Sequence, residues 1–425
     1  MNILHINQSD IKGGAAIGVY RLHQGLLAQE IDSRFLVDIV TTNNDRVAAT
    51  PPRRRLDYQI SRLTKPLGLN DIHLTSTFEI AKHPFYQAAD VLHFHNLHSG
   101  YFNYLALPSL TKNKPAILTL HDMWGITGHC AYSFDCDRWK MGCGRCPYPD
   151  TYPPIQRDNT HLEWKLKHWT YSHSTVVAVA TTSHWLVEQV KQSMMGSLPV
   201  HHIPYGIDTQ AYQPLDTESC RSLLGIATTK KVLMFGAQNL TNPRKGGDLL
   251  LKALSSLPES LKTEIVLLIM GNGGEKMAES LGIPSLNLGF VSSDRLKAIA
   301  YSAADLFLFP TRADAFGLVA QEAMAGATPV VAFKVGGVPD IVRPEMTGYL
   351  AQPEDASDFS RGIVQLLENQ GLRDRLGQQA RAIIVEEYSL GLQAQRYITL
   401  YSQALDNEGG TRASKQVGSA IGRIC

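Results

Sequence analysis

Two carboxylates, Asp314 and Glu322, stand eight positions apart in the run FPTRADAFGLVAQEAMAGATPVVAFKVGGVPDI, residues 309–341. Asp305 to Phe309 is a short apolar run, as expected of a strand buried on both faces. Phe316-Gly317-Leu318 then opens a helix with Val319, Ala323 and Met324 on its apolar side. A helix that opens after a strand offers unpaired N–H groups and a positive dipole end, which suit a phosphate or diphosphate. Glu322, one turn into that helix, is within reach of a ribose hydroxyl pair. Asp314 falls in the loop that would face a sugar. Two solvated acids on an ordinary αβ unit would give the same spacing.

Cations that could meet a diphosphate follow an earlier strand, in FGAQNLTNPRKGG, residues 235–247. Charge builds on a diphosphate as it leaves, and cations with helix N-termini can neutralise it without a metal. Arg244 offers a planar fork and Lys245 a point charge. A second glycine loop, SDIKGGAA from Ser9 to Ala16, follows the first strand, and Ala15, Val19, Leu22 and Leu26 continue it at helical spacing. Gly13-Gly14 lets backbone approach a ligand closely. The loop lacks G-x-G-x-x-G, which argues against a nicotinamide enzyme.

Histidines and cysteines crowd the first half. His93 and His95 alternate on one face of a strand, a pattern more typical of hydrogen-bonded core residues than of catalysts. His121-Asp122 ends a strand at its carboxyl edge, where ligands of such sheets collect. His98 sits in a loop after the preceding strand. Cys130, Cys136, Cys143 and Cys146 fall within 17 residues with spacing C-x5-C-x6-C-x2-C. Four thiolates would close a tetrahedral structural zinc site with His129 as a spare ligand; reduced, packed cysteines are the other reading. Asp135-Cys136-Asp137 is formally D-x-D, but it lies inside the cysteine loop rather than after a nucleotide-binding strand. Cys220 and Cys425 look unrelated.

Strand-like and helical runs alternate through 425 residues, which predicts an α/β chain of two doubly wound, Rossmann-like domains facing across a cleft. The expected strands are 2–6, 34–40, 90–95, 116–121, 175–180 and 200–203, then 231–235, 264–270, 285–290, 305–309 and 329–333. The net charge of +1 gives no reason to invoke nucleic acid. MNILHIN reads as a strand rather than a signal peptide, and no run approaches a membrane span, so a cytoplasmic protein is expected. Arg53, Arg54, Arg55, Arg62 and Lys65 cluster with Leu56, Ile60 and Leu63. That segment reads either as a solvated basic face or as a peripheral contact with the inner face of the plasma membrane.

The acid-x7-acid run resembles the signature of retaining GT-B glycosyltransferases of family 4, which usually has Glu where this chain has Asp314. Ile203-Pro204-Tyr205-Gly206-Ile207-Asp208 resembles the family's interdomain linker. The resemblance implies an acceptor-binding domain over 1–205 with a cysteine-rich loop at 129–147. A nucleotide-sugar domain would span 206–385, a helix crossing back 386–405, and a flexible tail 406–425. It implies donor contacts from Gly14, Arg244, Lys245, Gly271, Phe290, Val291, Phe316, Gly317, Leu318 and Glu322, with His121 and Asp314 orienting the sugar. Many members carry an Arg where this chain has Ala237. His98 would touch the acceptor. The run from His121 to Pro147 resembles a subgroup that serves exopolysaccharide assembly, including colanic-acid-type transferases. The expected activity is retaining, metal-independent transfer from a UDP- or GDP-linked sugar to a saccharide acceptor, often lipid-linked. A sugar-nucleotide epimerase and a non-catalytic nucleotide-sugar binder are the alternatives.

Overall fold

The computed structural model describes residues 1–421 apart from 70, 280 and 281, and gives no side chains for 276, 278 and 407–421. It divides into two units. One is Met1–Pro204 together with the chain from Gln393 onward; the other is Tyr205–Leu392.

The first unit holds strands β1 (Asn2–Ser9), β2 (Asp32–Ile39), β3 (Val47–Ala49), β4 (Val91–Phe94), β5 (Ala116–Leu120), β6 (Val176–Thr181) and β7 (Val200–His202). They form one parallel sheet in the order β3-β2-β1-β4-β5-β6-β7. The period of two along each strand divides its side chains between two cores. Leu4, Ile6, Leu92, Phe94, Leu118 and Leu120 enter one of them. Ile3, Val91 and Ile117 enter the other, with Tyr397, Leu400 and Tyr401 of the last helix, Leu390–Ile421. That helix is bound by polar contacts as well. Tyr401 Oη lies 2.7 Å from His93 Nδ1, and Tyr397 Oη 3.0 Å from Thr119 Oγ1. The core of the first unit is therefore closed by residues from the far end of the chain.

The second unit holds β8 (Lys231–Asn239), β9 (Ile265–Asn272), β10 (Ser285–Asn287), β11 (Leu306–Phe309), β12 (Val330–Phe333) and β13 (Gly348–Ala351). These are also parallel, in the order β10-β9-β8-β11-β12-β13. Each sheet reverses its winding once, between β1 and β4 and between β8 and β11. Loops diverge at such a point and leave a crevice at the carboxyl edge.

Eleven strands form where expected. The additional two, β3 and β13, are short edge strands that contain Ala48-Ala49 and Gly348, with little alternation to mark them. The last helix starts at Leu390, not at Glu386, which belongs to the preceding helix Gln370–Glu387. The break has a clear cause: Ile207 N–H donates to Tyr388 O at 2.8 Å, and Leu390 N–H donates to Ile207 O at 3.2 Å. A second backbone thus takes groups that would continue the helix. The final helix runs to Ile421, into the stretch expected as a tail, and 422–425 lie outside the described residues.

All five tryptophans lie in the first unit, so their fluorescence reports its unfolding. Tyr401→Ala should lower its stability in urea by about 3–5 kcal/mol, the usual cost of deleting a buried aromatic. Tyr401→Phe should cost about 1–3 kcal/mol, because it strips a buried His93 nitrogen of its partner.

Candidate functional site

In the second unit the acid and the two cations meet. Strands β8 and β11 are neighbours, with Phe235 paired to Leu308, so the loops that follow them run side by side. Lys245 Nζ donates to Asp314 Oδ2 at 2.8 Å, and Arg244 Nη1 donates to the same oxygen at 3.2 Å. Arg244 also donates to Ala313 O. Phe316 N–H donates to Asp314 Oδ1 at 3.3 Å, so one amide beside the helix N-terminus is already engaged. Burial pushes the Asp314 carboxyl upward, but Lys245 and Arg244 outweigh it and hold the pKa down to about 2. Burial lowers the Lys245 pKa, and Asp314 opposes that shift. Two cations against one carboxylate leave the cluster with a net positive charge.

Glycines make this approach possible. Gly246 has φ +70°, and a Cβ there would lie 1.8 Å from Pro310 O. Only a residue without a side chain lets the Arg244-Lys245 turn press against the loop before Asp314. On the other side, Gly337 N–H donates to Asp314 O at 2.9 Å. The acid is thus fixed at both backbone and side chain. Gly317, at φ +104°, caps the helix Leu318–Ala325. Glu322 in that helix is buried, and its Oε2 accepts from Tyr301 Oη at 3.1 Å. Phe316 and Val291 are buried, whereas Phe290 is 56% exposed. Gly271 N–H donates to Gly289 O at 2.7 Å, which joins the two loops expected to flank a nucleotide. Nothing in the sequence pattern marks Tyr301 or Gly337 as part of this site. Gly246-Gly247 directly after the two cations was the available signal.

In the first unit, Gly14 begins the helix Gly14–Ala28. Its loop is fixed by Asp10, which accepts from the amides of Ile11, Thr41 and Thr42 at 2.8, 2.9 and 2.7 Å. His121 follows β5 and is nearly buried, with Nε2 3.0 Å from His95 Nδ1. Burial lowers its pKa to about 4, and the charge of Asp122 resists that shift. Asp122 Oδ2 lies 3.2 Å from His98 Nε2. His95, His98, His121, Asp122, Trp124 and Tyr171 line a cavity at this edge. His93 and His95 are core residues with hydrogen bonds, as the strand pattern predicts.

The cysteine loop is organised differently from the zinc reading. All four thiols are free, and among the described residues no three of their sulfurs gather within 4.8 Å of one another. Burial raises the Cys130 and Cys143 thiols to about 12 and 11. His129 Nε2 lies 3.1 Å from Cys146 Sγ. The turn just ahead of the loop is held by Lys167, fully buried, whose Nζ donates to Trp124 O at 2.8 Å and Thr127 O at 3.0 Å. The same ammonium sits 3.4 Å from the centre of the Trp124 ring. Asp135 and Asp137 of the D-x-D run bind Tyr148 and Lys140.

Two Rossmann-like parallel units, each with one reversal of winding and a polar cluster at it, define the GT-B class. Sucrose-phosphate synthase from Thermosynechococcus elongatus superposes with TM-score 0.69 at 19% identity, over 96% of this chain and 100% of that one. Anabaena HepE in complex with UDP and glucose gives 0.67 at 16% identity, over 95% and 100%. In sequence, residues 218–383 match the family described as Glycosyl transferases group 1, and 12–211 match Glycosyltransferase Family 4. The chain is a glycosyltransferase of the group 1 type. The putative colanic acid biosynthesis glycosyl transferase WcaC of Escherichia coli (strain K12) is 27% identical over 354 residues, 78% of this chain and 83% of that protein. A D-inositol 3-phosphate glycosyltransferase of Nocardioides sp. is 34% identical over 193 residues, 40% of this chain and 41% of that protein.

The Asp314 cluster has a pH signature. A carboxyl with a depressed pKa adds stability that is complete above the ordinary value near 4 and is lost as pH falls toward 2. The size is about 2 kcal/mol. Urea unfolding followed by circular dichroism at pH 6 and pH 3 should show a smaller acid loss in Asp314→Asn than in the parent.

Proposed function

We propose that this glycosyltransferase is retaining and metal-independent, and that it moves a sugar from a nucleotide-diphosphate sugar to a saccharide acceptor in exopolysaccharide or lipopolysaccharide assembly. The observation that carries the reading is the net-positive Arg244–Lys245–Asp314 cluster, set where the second sheet reverses its winding and beside the N-terminus of the helix Leu318–Ala325. Arg244 and Lys245 neutralise the charge that grows on the departing diphosphate, the role a metal fills elsewhere. Amides near Gly317 and Leu318 share that task. Backbone at Gly271, Phe290 and Val291 flanks the base, Phe316 and Gly14 complete the donor contacts, and Glu322 holds the ribose. Asp314 and His121 orient the sugar. The first unit takes the acceptor, with His98 at its edge. Support comes from HepE, solved with UDP and glucose, and from the colanic acid assignment of WcaC.

A calorimetric titration with UDP, GDP and ADP in the absence of added metal tests this. Selective binding of UDP is expected, weakened about 10- to 100-fold in Arg244→Ala, as a lost charge-assisted phosphate contact implies. Equal indifference to all three nucleotides would overturn the reading. Product formed from a nucleotide sugar without an acceptor would identify an epimerase instead.

We infer peripheral attachment from the helix Arg55–Thr64. It leaves Leu56, Tyr58 and Leu63 exposed at 49%, 58% and 71% beside its basic residues. No helix among the described residues is long and apolar enough to cross a membrane. Vesicles with anionic lipid should co-sediment the protein, and Leu63→Glu should reduce that binding severalfold. Equal recovery with and without vesicles would refute surface attachment.

A further inference from the structure

The cysteine loop ends in CDRWKMGCGRCP, residues 136–147, a stretch with more cations than acids. Trp139 in it is buried. Met141, two residues on, is 92% exposed, more than any other large apolar side chain among the described residues.

Met141 is held in that position by the chain on either side. Trp139 O accepts from Trp164 Nε1 at 2.7 Å, and Cys143 N–H donates back to Arg138 O at 2.9 Å. Gly142, Cys143, Gly144 and Arg145 have φ of +133°, +53°, +91° and +48°. Residues other than glycine adopt such angles where their surroundings impose them. Here the surroundings are the chain from Asp158 to His161, at the start of the helix Thr160–Ser172. Gly142 O lies 2.7 Å from His161 Nδ1, Gly144 N–H donates to Thr160 Oγ1 at 2.9 Å, and Cys146 N–H donates to Asp158 Oδ2 at 2.6 Å.

The same stretch meets the basic segment. Asn159 Nδ2 donates to Leu67 O, and a Cβ on Gly68 would overlap Arg157 O. Leu67 and Gly68 end the short turn that follows the helix Arg55–Thr64. That helix and the Met141 turn are therefore mounted on one piece of chain, 157–161.

This mount presents apolar and basic groups to solvent. Leu56, Tyr58, Leu63, Leu67 and Met141 are exposed. Arg55, Arg62, Lys65, Arg138, Arg145 and Arg157 are exposed too, and among the described residues none of their side chains makes a hydrogen bond or an ion pair. The acids Asp57, Asp137 and Asp158 are engaged by the Thr75 amide, by Lys140 and by the Cys146 amide. An apolar protein partner would leave these cations without counter-charge, and a nucleic acid would leave Leu63 and Met141 without apolar contact. An anionic bilayer satisfies both sets, because headgroups take the cations while aliphatic side chains enter the acyl boundary.

We propose that the Met141 turn is a second membrane anchor, which enters an anionic bilayer together with the helix Arg55–Thr64 and so holds the first unit at two points. This rests on the surface attachment inferred for that helix. Two weak contacts on one body bind far better than either alone, since the second engages at high effective concentration.

Co-sedimentation of the full-length protein with vesicles of phosphatidylcholine, with and without phosphatidylglycerol, tests this. The parent should bind the anionic vesicles preferentially. Met141→Glu should weaken that binding about 5- to 10-fold and Arg145→Ala about 5-fold, whereas Met141→Leu should bind as the parent does. Both altered positions are exposed, so the circular dichroism of all three variants should match the parent. Met141→Trp gives a direct reading: its added emission should be quenched by bromine-labelled lipid. Met141→Glu and Arg145→Ala that bind as tightly as the parent would overturn the second anchor and leave attachment by the helix standing. A parent that ignores both kinds of vesicle would remove surface attachment itself, and the second anchor with it. Self-association in solution that Met141→Glu abolishes, with vesicle binding unchanged, would make the turn a contact between copies of this chain instead.

Discussion

A carboxylate with little access to water keeps its charge only if cations reach it, and at Asp314 that requirement shapes the second unit. Desolvation alone would favour the protonated acid. Arg244 and Lys245 reverse this from a loop about 70 residues earlier in the chain. They can do so because β8 and β11 are hydrogen-bonded neighbours and because nothing projects from Gly246. The same carboxylate takes the Phe316 amide, so the acid also sets how the following helix begins. Strand order, a glycine and an ion cluster are thus one arrangement described at three scales.

The first unit meets the opposite condition with a different device. On one face of its sheet the buried polar groups are imidazoles and hydroxyls, among them His5, His93, His95 and Thr119, which can remain neutral. His93 and Thr119 are bonded to each other and to Tyr401 and Tyr397 of the last helix. The polar ladder occupies the face where Ile3, Val91 and Ile117 lie lower down, because every second residue returns to that face. Lys167 is a buried cation elsewhere in the unit, and it donates to the carbonyls of Trp124 and Thr127 just ahead of the cysteine loop.

Much of the fold was legible because parallel strands buried on both faces are continuous apolar runs. β5 (Ala116–Leu120) and β11 (Leu306–Phe309) are plain in the sequence for that reason. Two of the four edge strands are not: β3 and β13 pair with β2 and β12, and nothing in Val47–Ala49 announces it. The individual residues of the cluster were also legible, since Asp314, Arg244 and Lys245 each follow a strand. Their mutual contact was not, because it depends on which strands are neighbours. The alternation of His93 and His95 pointed to a hydrogen-bonded core, but the contact of His95 with His121 needed the order of β4 and β5. The cysteine spacing suggested a closed sulfur tetrahedron. Among the described residues no three of the sulfurs lie within 4.8 Å of one another.

The interleaving of the two units along the chain has a consequence for biosynthesis. The second unit is continuous, from Tyr205 to Leu392, and everything it needs emerges from the ribosome in one stretch. The first unit begins the chain but lacks Ala394, Tyr397, Leu400 and Tyr401 until the end is made. At ordinary synthesis rates that interval is roughly 10–40 s. Through it, Ile3, Val91, Ile117 and the buried histidines wait without their cover. Met1–Pro204 is therefore made ahead of the second unit, yet its core is completed only by residues that follow it. In a nascent chain, the exposed face of this sheet is the surface a chaperone would find.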